Sequence, residues 1–327
     1  MKVGVFWRKF RNVELQRMVS SKNIYDDAYD EAFQHLTALQ GAGFDAALIE
    51  WKKDPKETLK DLLSPKIDIV FNASSLRELA FLQAFNMPFV GSGLDLVATS
   101  KAARKKVVAF HRLPTPKFFV VKSPDQIPEH SLRYPLFVKP VKGRGSGGIS
   151  EENVIKEPAA LPKVIDKITQ QIGQAALVEE FIQGREITVG IIGNEDPTIL
   201  PLLEIEYSSA ITNTYEHKML GNEIIHCPAD FSETEEKRIR DTARRIYQVL
   251  NARDFGRVDM IVAPDGTPFF LEINTFAGLT MSSDTAHKGY MGYMAEAKGM
   301  SASEFIGSIV RYALERYRIK PTQALTS

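Results

Sequence analysis

Two pairs of polar side chains stand on either side of a tight turn in the last third of the chain. Arg257 and Asp259 precede the turn, and Glu272 and Asn274 follow it. The turn residues Pro264-Asp265-Gly266 predict a β-hairpin, on which alternate residues share one face. Three oxygen donors and a guanidinium then meet, which suits Mg²⁺ bridging the phosphates of a nucleotide. The apolar residues between them favour this site over the alternative, a solvated polar face. They are Val258, Met260, Leu271 and Ile273, which would occupy the other face.

A glycine-rich segment follows a predicted strand in the middle of the chain. It runs over 142–150, and Lys139 lies in the strand just before it. Glycines let backbone N–H groups approach a phosphate, to which the lysine adds a positive charge. Gly143, Gly145 and Gly148 satisfy G-x-G-x-x-G, but 149–156 reads as strand or loop and not as the helix of a Rossmann fingerprint. The segment is predicted to be a phosphate flap, with a flexible hairpin as the alternative.

A third group of residues lies at the end of another predicted strand. Residues 178–182 lead from strand to loop, and Glu186 follows. A strand end with free backbone groups can bind the edge of an adenine, and a nearby carboxylate can bind ribose hydroxyls. Taken alone, these residues read better as a solvated charge pair.

Composition narrows the class of protein. The chain has 327 residues, with 41 Lys and Arg balancing 41 Asp and Glu, whereas a nucleic-acid coat protein would be strongly basic. The single cysteine, Cys227, excludes an internal disulfide framework and reads as a buried apolar residue rather than a nucleophile. No signal peptide or membrane-spanning stretch is expected. These features predict a cytoplasmic enzyme that binds neither nucleic acid nor membrane, and they leave a homodimer open.

Strand and helix patterns alternate along the chain, as in α/β proteins. Strands at 2–7, 46–49 and 67–72, with a helix ended by Gly41 and Gly43, predict a parallel first domain that ends near Thr99. The later predicted elements are a helix over 100–112, strands over 117–121 and 136–139, a helix over 161–173, strands over 175–179, 186–193 and 199–207, a capped helix from Ser232 to about Leu250, the hairpin, and a last amphipathic helix through Phe305 and Arg316. Residues 208–222 lack periodicity and predict a long loop.

Order and spacing of these motifs resemble the ATP-grasp ligases over nearly the whole chain, and within them the D-alanine–D-alanine ligase-like branch. The matching segments are Val138-Lys139-Pro140 with the glycine loop, Gly184-Arg185-Glu186, Gly256-Arg257-Val258-Asp259, Leu271-Glu272-Ile273-Asn274-Thr275 and Gly278-Leu279-Thr280, with smaller matches at Gly91-Ser92-Gly93, Leu113-Pro114-Thr115-Pro116 and Cys227-Pro228-Ala229. The resemblance implies an ATP-grasp fold of α/β and α+β lobes with a Rossmann-like lobe first. Its lobes would be 1–99, 100–178 and 179–327, with ATP between the last two.

The same resemblance implies roles for individual residues. Residues that would bind ATP are Lys101, Lys139, Gly143, Gly145, Ser146, Gly147, Glu179, Glu180, Phe181, Ile182 and Glu186. Asp259, Glu272 and Asn274 would hold two Mg²⁺ ions, with Mn²⁺ as an alternative. Residues with catalytic roles would be Arg257, Lys218, Gly145 and Ser146, and those contacting the substrates would be Arg257, Gly278, Ser282, Ser283 and Tyr215. The 208–222 loop would close over the intermediate and exclude water.

The amino-acid site departs from that branch. The family's Ser, Tyr and Glu fall on Gly145, Met219 and Met18, although Ser146 and Glu14 lie nearby. Ala73-Ser74-Ser75-Leu76-Arg77-Glu78 replaces the family's His-Gly and Gly-Glu-Asp-Gly elements. The ATP half therefore matches and the substrate half does not.

Three interpretations follow. The first is an ATP- and Mg²⁺-dependent carboxylate–amine ligase that acts on an amino acid or a small peptide-like acid through an acylphosphate. The second is a true D-alanine–D-alanine ligase of peptidoglycan precursor synthesis. The third is a nucleotide-binding protein without ligase turnover, against which the complete set around Arg257 argues.

Overall fold

The computed structural model describes residues 1–8, 24–63, 66–72, 76–142, 151–207, 223–282 and 288–320. The strands are β1 (Lys2–Trp7), β2 (Asp45–Glu50), β3 (Ile69–Asn72), β4 (Phe118–Val121), β5 (Leu136–Pro140), β6 (Val154–Ile155), β7 (Ala176–Glu180), β8 (Arg185–Ile192), β9 (Thr198–Ile199), β10 (Leu203–Tyr207), β11 (Glu223–His226), β12 (Phe255–Val262) and β13 (Pro268–Asn274). The α-helices are α1 (Ile24–Gly41), α2 (Pro55–Leu63), α3 (Leu76–Ala84), α4 (Leu94–Val97), α5 (Lys101–Phe110), α6 (Leu161–Asp166), α7 (Glu233–Val249), α8 (Tyr290–Ala297) and α9 (Ala302–Tyr317).

The first sheet is parallel, in the order β2-β1-β3, as the alternating patterns predicted. Val3 and Val5 of the central strand are fully buried, because helices cover the sheet. The helix α1 crosses from β1 to β2 and ends at Gly41, and a left-handed Gly43 starts the return (φ 85°). The sequence patterns did not predict α2 or α3.

The second sheet is antiparallel, in the order β4-β7-β5-β6. Leu136, Val138 and Val178 are fully buried in it, beneath Ile165 of α6. The predicted helix over 161–173 is present as α6 followed by a π-helix, Lys167–Ile172, which ends at a left-handed Gly173 (φ 69°).

The third sheet is antiparallel, in the order β11-β10-β8-β12-β13, with β9 paired to β8. The single strand predicted over 199–207 is wrong, because the chain forms two strands, β9 and β10, separated at Pro201. Proline has no N–H to donate to a ladder, which explains the interruption. The capping box predicted at Ser232 is confirmed, and Ile239, Ala243 and Ile246 of α7 are fully buried against the sheet.

The last helix, α9, packs against α1 beside the first sheet. Phe305, Ile309 and Ala313 of α9 share one buried cluster with Val3 and Val5 of β1. The segment between β13 and α8 lies close to this sheet, since Ala277 and Leu279 belong to the same cluster. None of the helices in the described ranges is both long enough and apolar enough to cross a membrane.

Candidate active site

The β12–β13 hairpin brings its four polar residues together as predicted. Arg257 pairs with Asn274, and Asp259 pairs with Glu272. Val258, Met260 and Ile273 are buried on the opposite face, against α7.

One residue of this pattern lies elsewhere. A β-bulge follows Asp259, so Met260 pairs with Phe270. Phe270 is fully buried, whereas Leu271 is partly exposed. The prediction that Leu271 shares the buried face is therefore wrong, because the bulge inserts it as an extra residue.

The carboxylate of Asp259 is the centre of a hydrogen-bond network. Arg257 donates to both of its oxygens, from Nε at 2.8 Å and from Nη2 at 3.1 Å. Asn274 Nδ2 donates at 2.6 Å, and the hydroxyl of Thr188 on β8 donates at 2.5 Å. Burial would lower the pKa of Arg257, but Asp259 beside it raises that pKa above its ordinary value, so the guanidinium stays charged.

The helix α5 adds two lysines, one turn apart, to the same place. Lys101 Nζ lies 3.2 Å from Glu272 Oε2. Lys105, which is fully buried, donates to Phe270 O at 3.0 Å and to Thr115 Oγ1 at 3.1 Å. Burial lowers the pKa of Lys105 to about 8, against the opposing effect of Glu179.

Glu179 lies between two ammonium groups. Its carboxylate is 2.9 Å from Lys105 Nζ and 2.5 Å from Lys139 Nζ on β5, and the residue is 2% exposed. Burial alone would raise the pKa of Glu179, but the two lysines hold it below its ordinary value. Burial would likewise raise the pKa of Glu272, and Lys101 and Lys139 lower it. Both carboxylates are therefore ionised.

The structure corrects one detail of the predicted adenine segment. The backbone groups at this strand end were expected to be free, but the N–H of Glu180 donates to Lys117 O and that of Phe181 donates to Pro135 O, each at 3.0 Å. The Glu180 carboxylate accepts from the N–H of Arg133 at 3.1 Å. The adenine role of 179–182 stays a prediction.

The residues present fit Mg²⁺ carried by a nucleotide. No cluster of three or more His, Cys, Asp or Glu side chains within the described ranges is arranged to bind a metal. Asp259 and Glu272 with the Asn274 amide are what the protein offers. Mg²⁺ commonly takes one or two protein carboxylates and completes its shell with phosphates and water.

A tyrosine covers the guanidinium of Arg257. Tyr290, the first residue of α8, places its ring centroid 4.7 Å from the Arg257 Cζ. Its hydroxyl donates to Glu223 Oε2 on β11 at 2.5 Å. Burial and the charge of Glu223 raise the pKa of Tyr290, which keeps this hydroxyl protonated as a donor.

The segment that holds the predicted substrate residue Gly278 lies against the start of α8. Gly289 N–H donates to both the carbonyl and the hydroxyl of Thr280 at 3.0 Å. A Cβ on Gly289 would overlap the carbonyl of Gly278, and one on Gly292 would overlap that of Thr280. These glycines therefore permit the close approach.

The remaining predicted residues divide into two groups. Glu186 is partly buried on β8, two residues before Thr188, and Ser282 is partly buried after the Gly278 segment. The residues outside the described ranges are Glu14, Met18, Gly143, Gly145, Ser146, Gly147, Tyr215, Lys218, Met219 and Ser283. The predicted loop at 208–222 lies entirely outside them.

Four residues of this site were missed in the sequence. Lys105 follows Lys101 by four positions, which places both on one helix face, and Thr188 follows Glu186 by two on a strand, so spacing could have found them. Tyr290 and Glu223 carry no comparable signal. Cys227 was predicted to be buried, but it is half-buried, packed against the cluster that contains Val3 and Val5, and burial raises the pKa of its thiol to about 11.

Known proteins match this chain over most of its length. Residues 107–311 match the family model described as D-ala D-ala ligase C-terminus. D-alanine–D-alanine ligase of Pelotomaculum thermopropionicum is 30% identical over 309 residues, covering 86% of this chain and 91% of that protein. D-alanine–D-alanine ligase B of Clostridium perfringens is 28% identical over 284 residues, covering 81% and 89%.

A solved structure agrees on the fold. The crystal structure of D-alanine–D-alanine ligase from Bacillus anthracis complexed with ATP covers 97% of this chain and 99% of its own, at 18% identity and a TM-score of 0.73. The predicted resemblance and ATP-grasp fold are confirmed. The chain belongs to the D-alanine–D-alanine ligase family and is an ATP-grasp ligase.

Proposed function

We propose that this ligase uses ATP and Mg²⁺ to activate the carboxylate of an amino acid or a small peptide-like acid and joins it to an amine. The observation that carries the proposal is the convergence of Arg257, Asp259 and Glu272 on the hairpin with Lys101 of α5 and Lys139 of β5. Phosphoryl transfer is mainly positioning and neutralisation of charge, which these groups supply. The ATP bound to the Bacillus anthracis enzyme supports the choice of nucleotide.

The ion pairs of the site suggest which residues would bind ATP and Mg²⁺. Lys101 and Lys139 now pair with Glu272 and Glu179. When ATP is bound, the lysines would turn to its phosphates, and Asp259, Glu272 and Asn274 would hold Mg²⁺, which neutralises the phosphate charge. Residues proposed for the rest of the nucleotide are Glu186 at the ribose, 179–182 at the adenine, and Gly143, Gly145, Ser146 and Gly147 over the phosphates.

Arg257 is proposed to bind the acid substrate. A carboxylate is a poor acyl donor, and transfer of a phosphoryl group makes an acylphosphate that an amine can displace. The charged Arg257 would hold the reacting carboxyl group and stabilise the negative charge that develops when the amine attacks. Lys218 and Tyr215 of the 208–222 loop, with Gly278, Ser282 and Ser283, are proposed to complete this side. The lobes 1–99, 100–178 and 179–327 are proposed to enclose the site.

A true D-alanine–D-alanine ligase is the second candidate, because relatives of about 30% identity carry that name. The positions of Gly145, Met219 and Met18 favour a different acid or amine. Glycine has no side chain to offer, and the methionine thioether cannot donate a hydrogen bond.

The test is ADP release from the purified chain with ATP, Mg²⁺ and a panel of D- and L-amino acids and dipeptides, with products identified by mass spectrometry. Amide products with a pair other than two D-alanines would support the first candidate. D-alanine matching or exceeding every other pair would favour the second. ATP binding without ADP release for any pair would contradict both candidates.

A further inference from the structure

Glu223 has one carboxylate oxygen whose hydrogen-bonding capacity is unused. Its Oε2 accepts the hydroxyl of Tyr290 at 2.5 Å. Its Oε1 is buried and finds no hydrogen-bond partner in the described part of the chain. Buried polar atoms are nearly always paired, so a carboxylate oxygen in this state can accept from a donor that the described residues do not supply, such as a bound ligand.

This oxygen lies on the same side of the third sheet as the reaction site. Glu223 pairs with Tyr207 on β10, whose Ile205 pairs with Glu186 on β8. Tyr290 spans the space above these strands, with its ring over Arg257 and its hydroxyl on Glu223. A cation thus lies over the ring of Tyr290, and an anion lies at its hydroxyl.

An α-amino acid matches this arrangement of charge. Its carboxylate would face Arg257, and its ammonium group, attached to the neighbouring carbon, would face Glu223. Because Tyr290 already engages Oε2, the free Oε1 is the atom left to accept a hydrogen bond from the ammonium group. Such charge-assisted bonds are the strong ones in proteins.

The chemistry of the reaction indicates which of the two substrates, the acid component or the attacking amine, Glu223 would bind. The attacking amine must lose its proton, so a buried anion that stabilises its charged form would oppose the reaction. The ammonium group of the acid component takes no part in bond formation and gains from that anion. The family's glutamate at this role falls on Met18, which has no charge. An anion from another part of the chain could take over that role.

We propose that Glu223, positioned by Tyr290, binds the ammonium group of the amino acid whose carboxylate is activated at Arg257. This inference rests on the proposed function and names its acid substrate class, amino acids with a free amino group. N-acylated acids and acids without an amino group would be poor substrates.

The experiment isolates activation of the acid by adding hydroxylamine, whose nitrogen displaces phosphate from an acylphosphate and forms a hydroxamate. ADP release is measured for the panel amino acid that wild type activates fastest and for the same molecule without its amino group. Glu223→Gln keeps the shape and removes the charge. We expect its KM for the amino acid to rise about tenfold to a hundredfold, with the KM for ATP within twofold of wild type.

The preference for the amino acid over its desamino analogue is the more specific measurement. Wild type should prefer the amino acid to its desamino analogue, and Glu223→Gln should lose most of that preference. Tyr290→Phe should show a smaller loss, because Glu223 remains. The matched control is Glu206→Gln on the neighbouring strand, where an exposed carboxylate lies 3.0 Å from His226, and it should leave both KM values unchanged.

Two results would overturn the inference while leaving the proposed function standing. One is an unchanged amino-acid KM in Glu223→Gln, and the other is a rise confined to the KM for ATP. No ADP release by wild type with any acid would contradict the proposed function and this inference with it.

Discussion

Lys105 on α5 and Glu179 on β7 form a buried ion pair, with 2.9 Å between Nζ and Oε2. The same ammonium group donates to the carbonyl of Phe270 on β13 at 3.0 Å. One side chain therefore connects the second sheet to the third, on the two sides between which ATP is proposed to bind. Its position fixes Glu179, and through Glu179 it fixes Lys139.

Replacing Lys105 with a residue of similar size should destabilise the protein. Lys105→Met keeps most of the aliphatic stem but leaves Glu179 with Lys139 as its remaining lysine. Breaking a buried pair by removing one partner costs about 3 kcal/mol or more. Urea unfolding should show this loss. Lys106→Met, at the exposed neighbouring position, should unfold like wild type. Equal urea midpoints for the two variants would contradict the structural role of Lys105.

Glu272→Gln should keep the fold and slow the reaction. The amide has nearly the same shape, but it removes the negative charge that Lys101 and the proposed Mg²⁺ share. We expect the rate constant for ADP release to fall on the order of 100-fold or more. Thermal unfolding checks the fold, and Glu152→Gln is the matched control, since its exposed carboxylate pairs with Lys167 on the surface. A wild-type rate at saturating Mg²⁺ would rule out the metal role.

The parts of the site that the sequence predicted are those with short-range signals. Alternation around Pro264-Asp265-Gly266 placed Arg257, Asp259, Glu272 and Asn274 on one face, and the pairing agrees. The bulge beside Met260 could not be predicted, because it depends on how the hairpin fits between α7 and β8. Lys105 had a signal in its spacing from Lys101, but its burial depends on contacts with distant strands.

Contacts between distant segments explain what was missed. Tyr290 and Glu223 are separated by 67 residues and meet because α8 lies over the third sheet. The pattern within each segment carries no information about such partners. The cluster shared by β1 and α9 could not be predicted for the same reason.

His35 on α1 should make stability depend on acid pH. It is 3% exposed, both ring nitrogens lack hydrogen-bond partners within the described ranges, and burial lowers its pKa from 6.5 to about 4. The unfolded chain takes up a proton below pH 6.5, whereas the folded protein does not until about pH 4. The contribution to stability is therefore complete above pH 6.5 and is lost as the pH falls towards 4, by about 3 kcal/mol in total.

The check is urea unfolding of wild type and His35→Leu between pH 7 and pH 4. The variant has no proton to take up, so its stability should fall less steeply with acid. His111→Leu, at an exposed position, should follow wild type. The same slope in His35→Leu as in wild type would assign the acid sensitivity to other groups.

Asp254 should be among the residues on which the fold depends most. Its side chain is fully buried just before β12, where it accepts from Arg316 Nη2 on α9 at 2.6 Å and from the N–H of Gly91 at 2.8 Å. Arg316 Nε donates to the other oxygen at 3.0 Å, and Asn194 Nδ2 donates to that oxygen at 3.2 Å. One carboxylate thus joins the third sheet, the Gly91 segment before α4 and the last helix. Asp254 itself has a left-handed backbone (φ 63°), which asparagine also tolerates.

Asp254→Asn removes the charge and one hydrogen-bond acceptor, while size and backbone preference are retained. The new amide nitrogen cannot accept from Gly91 or Arg316, and the Arg316 guanidinium loses its counter-charge. Since removing one partner of a buried pair is costly, we expect a loss of about 3 to 5 kcal/mol in urea unfolding. Asp95→Asn is the control, because its pair with Arg253 has the same kind of contact, 2.8 Å, but lies at the surface, where such pairs contribute little. If both variants lost the same small amount of unfolding free energy, the Asp254–Arg316 pair would contribute no more than a surface pair. The position of α9 would then depend on the apolar cluster that it shares with β1.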